Sequence, residues 1–133
     1  KNKTKLQNLA KILTQKRATI FKKLSQKVIQ EIRELGMEKA IFEIKNNIKP
    51  TLSIMGQDDI NFYFSAHEKN ELALIEKVIS GGETARIMFV LKNILAQHKV
   101  LPTIIFDEID TGISGKVAKK WAKKCKIWHK ILK

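Results

Sequence analysis

The stretch Val78-Ile79-Ser80-Gly81-Gly82-Glu83-Thr84-Ala85-Arg86-Ile87-Met88, followed by Thr103-Ile104-Ile105-Phe106-Asp107-Glu108, decides how the chain is read. In the first segment a small, flexible stretch opens onto a helix predicted over about 81–97. Ile87, Met88, Val90, Leu91, Ile94 and Leu95 are expected on its buried side. In the second, a hydrophobic run ends in two adjacent carboxylates. The run does not alternate, which predicts a short strand over 103–106 buried on both faces.

Ser80 and Glu83 stand three residues apart, the spacing of a capping box, and that explains them without any function. It does not explain Gly81-Gly82, because glycine in a first helical turn costs about 1 kcal/mol relative to alanine. Two glycines there make sense if another group must approach the backbone closely. A helix N-terminus with free N–H groups favours an anion, and phosphate is the natural candidate. Asp107-Glu108 falls where α/β sheets bind ligands, beyond the carboxyl end of a strand. The first carboxylate can hold Mg²⁺, often through water. The second can orient or deprotonate an attacking water. A turn or helix-capping pair is the plain alternative for these two residues taken alone. Both elements together, in this order, point to half of a nucleoside-triphosphate site.

Gly112-Ile113-Ser114-Gly115-Lys116-Val117 is a decoy. A phosphate-binding loop needs four residues between its glycines and a Ser or Thr after its Lys. Here there are two residues and then Val117, so a phosphate cradle must come from elsewhere. His67, His98 and His129 are scattered and read as surface or loop residues. Trp121, Trp128 and Cys125 fall with Val117, Ala118 and Ala122 at helical spacing on a lysine-rich terminal helix. Core packing is the favoured reading of that stripe, with a membrane-surface or partner-binding helix as the alternative.

Working outward, residues 4–35 read as one long helix. Leu6, Leu9, Leu13, Ile20, Leu24, Val28, Ile32 and Leu35 form a coiled-coil-like seam, broken near Lys16-Arg17. An ordinary amphipathic helix packed on a domain is the alternative. Gly36 supplies a C-terminal stop. Residues 40–44 and 60–64 read as strands, rich in branched and aromatic residues. Asn46–Asp59 reads as the connection between them, with Pro50, Gly56 and Asp58-Asp59 as turn signals. Residues 66–79 read as a polar connector, and 98–102 and 110–115 as loops.

Charge is distributed unevenly along the 133 residues, whose formal net charge is +13. Residues 1–49 carry 13 Lys/Arg against 4 Glu, residues 50–115 carry 5 against 9 acids, and residues 116–133 carry 8 Lys and no acid. The chemistry-bearing middle is acidic and both ends are basic. A basic end can meet nucleic-acid phosphates through counterion release, and a solvated lysine-rich surface is the equal alternative. One cysteine excludes an internal disulfide. It fits a reducing compartment, expected to be the cytoplasm. No apolar run is long enough for a membrane span. The first residue is not Met, so the chain is expected to begin inside a longer protein.

Leu35-Gly36-Met37, Phe62-Tyr63-Phe64-Ser65, the stretch from Lys77 to Met88 and the stretch from Phe106 to Gly115 closely resemble the RecN family of bacterial DNA-repair proteins. These are SMC-like proteins with ABC-type ATPase heads. The resemblance covers about residues 15–120. It implies an α/β fold, the C-terminal lobe of a split ABC/SMC-type P-loop ATPase head, carrying an N-terminal coiled-coil helix. Residues 1–35 are then the end of the coiled-coil arm, and 36–133 a truncated C-terminal lobe. The implied function is recombinational repair of DNA double-strand breaks in the bacterial cytoplasm, at the nucleoid.

The resemblance also implies roles. Ser80, Gly81, Gly82 and Glu83 form the signature that meets the γ-phosphate of ATP held by the opposite head. Asp107 serves Mg²⁺ and Glu108 is the catalytic base. Asp110, Thr111, Gly112, Ser114 and Gly115 form a loop at the dimer interface, and Arg86 supports the signature helix. Partners are DNA, the N-terminal ATPase lobe of the same protein and a second head, with no membrane. The family's phosphate loop precedes the arm and is not in this chain, so the chain alone is expected to be inactive. The tail from Lys119 departs from the family pattern, and His129 does not match its switch histidine. A truncated or frame-shifted reading frame, or an unusual segment of a longer protein, accounts for that. The competing readings are a non-enzymatic basic fragment that binds DNA or a partner helix, and an inactive remnant.

Overall fold

The computed structural model describes residues 2–78, 81–97, 105 and 115–131, the last five of these as backbone alone. Among the described residues the chain is α/β, with three α-helices and a small antiparallel sheet. Helix α1 spans Asn2–Glu34. At 1.5 Å per residue it is about 50 Å long. Its two halves differ. Val28 and Ile32 are fully buried, whereas Leu6, Leu9, Leu13 and Ile20 are exposed. The seam read from the sequence is therefore half core and half surface. Gly36 ends the helix as expected. Its φ is +89°, and the Gly36 and Met37 amides donate to the carbonyls of Arg33 and Ile32. These are the two bonds of a Schellman ending.

Strands β1 (Ile41–Ser53) and β2 (Gly56–Ser65) form a hairpin, paired from Ile41↔Ser65 to Ile48↔Asp58. The sequence expectation of a loop across 46–59 was wrong: only Ile54-Met55 turns. Pro50 lies where the register shifts between Ile48 and Ser53, on the outer strand of the sheet. A missing N–H costs no ladder bond there. Ser53 Oγ accepts from the Met55 amide and donates to the Gly56 carbonyl, and Gly56 takes φ +91°. The acids read as turn residues are paired instead. Arg17 Nη1 donates to Asp58 Oδ2 and to the Met55 carbonyl, Asn46 Nδ2 donates to Asp58 Oδ1, and Lys49 pairs with Asp59. The connector 66–79 holds a two-residue strand, β3 (Ala73–Leu74), beside β2, and a 3₁₀ turn over Ile75–Lys77.

The Asp58 side chain is only 1% exposed. Burial pushes its pKa up, but the bonds from Asn46 and Arg17 prevail and hold it below the usual carboxylate value. A depressed carboxyl stabilises the fold above its unfolded pKa and loses that contribution as pH falls through its folded pKa. Arg17→Ala is expected to cost about 1–3 kcal/mol by leaving a buried acceptor without its partner. Urea titrations at pH 7 and at pH 3 check this, with a smaller cost expected at pH 3.

Helix α2 spans Gly81–Ala96 and helix α3 spans Gly115–Ile131. Residues of one strand alternate between faces, so Phe42 and Phe64 turn inward onto Val28, Ile32, Leu35, Ile87 and Val90. Phe89 packs on Trp121 with ring centroids 4.6 Å apart. The buried face of α2 is rotated from the expected one. Phe89, Asn93 and Ala96 are inside, while Met88 and Leu95 are exposed. Counting apolar residues misplaced it because the buried Asn93 is polar: its Nδ2 donates to Glu31 Oε2 at 2.9 Å. The stripe expected on α3 also narrows. Trp121 is buried and Val117 half-buried, but Ala118, Ala122 and Cys125 are exposed, and the side chain of Trp128 lies outside the described residues. Lys124 replaces them on the inner face, reaching Glu31 at 2.9 Å and Glu34 at 3.0 Å. Of the strand expected over 103–106, Ile105 alone is described. It is in no strand and is 85% exposed. A doubly buried strand needs sheet neighbours, and among the described residues the sheet has only the order β1-β2-β3. No helix among the described residues is long and apolar enough to cross a membrane.

Candidate functional site: the N-terminus of helix α2

Helix α2 begins with Gly81-Gly82-Glu83, as the sequence reading expects. Both glycines lie within the helix, so neither is needed for a left-handed backbone. What remains is their lack of side chains. Gly81 is exposed and Gly82 half-buried, and an alanine there would have favoured the helix by about 1 kcal/mol each. The first turn is thus left bare at some cost in stability. Such a bare helix N-terminus, with N–H groups free of intrahelical partners, suits a phosphate oxygen.

The chain entering α2 is fixed by Thr84, whose Oγ1 donates to the Val78 carbonyl at 3.1 Å. That bond ties Val78 to the first turn of α2. The far end of α2 is tied to α1. Asn93 bonds Glu31, and Lys27 Nζ donates to Gln97 Oε1 at 2.6 Å. Helix α2 is therefore positioned by α1 along its second half, and Gly81 at its start is exposed.

Beside that first turn is an open cleft of about 440 Å³, lined by Glu83, Arg86, Lys39, His67 and Asn70 among others. Arg86 Nε is buried and has no hydrogen-bond partner among the described residues. A guanidinium N–H left unpaired is a donor waiting for an acceptor. The sequence reading names Arg86 as support for the helix only through the family resemblance. Asn93 and Lys124 were missed, since a polar residue on a helix reads as solvated until its partner on another element is known.

Of the residues expected in the site, Gly81, Gly82, Glu83 and Gly115 are described. Gly115 starts α3 with φ +57°. Ser80, Asp107, Glu108, Asp110, Thr111, Gly112 and Ser114 lie outside the described residues. Among the described residues no cluster of three His, Cys, Asp or Glu is placed to hold a metal ion.

These features define an α/β chain whose central helix is anchored at its C-terminal half and opens on two bare glycines. Similarity to known proteins narrows the class. The chain is 46% identical over 92% of its length to DNA repair protein RecN of Rickettsia conorii, covering 22% of that protein. It is 40% identical over 84% of its length to RecN of Halalkalibacterium halodurans. RecN of Bacillus subtilis is 33% identical over 90% of the chain, which covers 23% of it. The resemblance to RecN thus extends along nearly all of this sequence, and the chain spans about a fifth of the length of these relatives. No family model matches the chain.

Proposed function

We propose that this chain supplies the signature and Walker B part of an ATP-hydrolysing, RecN-like protein of DNA double-strand-break repair. It is the C-terminal lobe of an ABC/SMC-type head, acting in the bacterial cytoplasm at the nucleoid. The observation that carries the reading is the bare first turn of α2 within a sequence 33–46% identical to RecN proteins along most of its length. The exposed Leu6, Leu9, Leu13 and Ile20 support reading residues 1–35 as the returning end of a coiled-coil arm, covered by the arm's other helix.

In this reading ATP is held by a phosphate loop on another polypeptide segment, and two heads close on it. Ser80 and the Gly81 and Gly82 amides meet the γ-phosphate, with Glu83 at the same turn. Asp107 would hold Mg²⁺, which offsets phosphate charge when bound. Glu108 takes a proton from water as the water oxygen bonds the γ-phosphorus. The bond to the β–γ bridging oxygen breaks, giving ADP and inorganic phosphate. Asp110, Thr111, Gly112, Ser114 and Gly115 face the opposite head.

The test is ATP turnover by this chain mixed with a separately expressed segment carrying the phosphate loop. Turnover by the mixture, and by neither part alone, is the expected result. No turnover from a pair shown to be folded and associated counts against the reading. A second reading, a non-enzymatic basic module, is favoured by the absence of any acid from 116 to 133. It predicts salt-sensitive DNA binding that ignores ATP and substitutions at Ser80 and Glu108.

A further inference from the structure

We propose that the outer face of α3 is a polyanion surface that binds the phosphate backbone of duplex DNA. The choice of DNA as the polyanion rests on the repair reading above; the surface itself rests on geometry and charge.

Helix α3 is seated by three inward residues at helical spacing. Val117 meets Gly36, where an added Cβ would stand 3.2 Å from its methyl groups. Trp121 packs on Phe89 with the two rings tilted by 44°. Lys124 is spent on Glu31 and Glu34. With 117, 121 and 124 turned inward, a helical step of about 100° per residue gathers Lys116, Lys119, Lys120, Lys123 and Lys126 on one outward arc. All five are exposed. They extend over about 15 Å of helix axis.

Seven lysines and no acid occur in Gly115–Ile131. Like charges three and four residues apart disfavour a helix, and a face built only for solubility mixes both signs. A polyanion relieves that repulsion. Duplex DNA offers one charge per about 1.7 Å of axis, so a face of this length meets several phosphates. Lys120 also borders an open cleft of about 560 Å³ against α1, where Gln26, Gln30 and Arg33 add donors. Glu34 and Glu38 stand on the same wall, and Lys124 neutralises Glu34.

The experiment is fluorescence anisotropy of a labelled duplex titrated with the 133-residue chain, without ATP, over a series of salt concentrations. The triple substitution K119Q/K123Q/K126Q is expected to weaken binding. It should also reduce the slope of log K against log salt by about 2–3, since each phosphate contact contributes about 0.9. Helicity and tryptophan emission are expected to be unchanged, and K119R/K123R/K126R to retain binding. An unchanged slope overturns the proposal. So does an equal or greater loss from K3Q/K5Q/K11Q on α1, or binding to anionic phospholipid vesicles with none to the duplex. ATP turnover is a separate readout, so this surface and the ATPase reading can fail independently.

Discussion

Glu108→Gln is expected to lower ATP turnover by about 10²–10⁴-fold in the pair reconstituted from this chain and a segment carrying the phosphate loop. The amide is nearly the size of the carboxylate and can still orient water. It cannot accept the proton that water loses as it attacks phosphorus. Nucleotide binding, measured by equilibrium dialysis, is expected to persist, because in the proposed reading the phosphates are gripped by the other segment. Persistence of turnover in the variant would remove Glu108 from the chemistry and return Asp107-Glu108 to a turn. A loss of turnover together with a loss of nucleotide binding would indicate damage to the fold rather than to proton transfer.

Trp121→Ala is expected to cost about 3–5 kcal/mol, the range for removing a large aromatic from a core. That is a large part of the 5–15 kcal/mol typical of a folded domain. The side chain is 5% exposed and packs on Phe89 at 4.6 Å, so its loss opens the contact between α3 and α2. Trp121→Phe is expected to cost far less. Trp121 Nε1 is buried without a hydrogen-bond partner among the described residues, so phenylalanine gives up ring volume but none of the described bonds. Urea denaturation of the two variants checks the ranking. Equal midpoints for alanine and phenylalanine would mean that α3 is not docked through this residue.

Much of the fold was legible because its elements obey local rules. Gly36 announced the end of α1, and Gly81 and Ala96 bound a helix placed within a residue or two of its expected limits. The hairpin was harder. Pro50, Gly56 and Asp58-Asp59 are turn formers by composition, yet only Gly56 borders the turn. Asp58 is extended because Arg17, 41 residues earlier, reaches it, and no local window contains that contact. The faces of α2 and α3 were misplaced for the same reason. Asn93 and Lys124 are inward because Glu31 and Glu34 lie opposite them. The candidate site was legible in the opposite sense. Its residue types mark the chemistry, but in the proposed reading the ligand they imply is held by another polypeptide segment, and Glu108 and Asp107 fall outside the described residues.

The central claim is that the first turn of α2 meets the γ-phosphate of a nucleotide held by another polypeptide segment. Backbone amide NMR of this 15.3 kDa chain tests it directly, by following the Gly81 and Gly82 N–H signals. ATP and Mg²⁺ alone are expected to leave them in place, and the phosphate-loop segment loaded with ATP and Mg²⁺ is expected to shift both. The same shifts from ATP alone, or none at a saturating concentration of the loaded segment, would contradict the account.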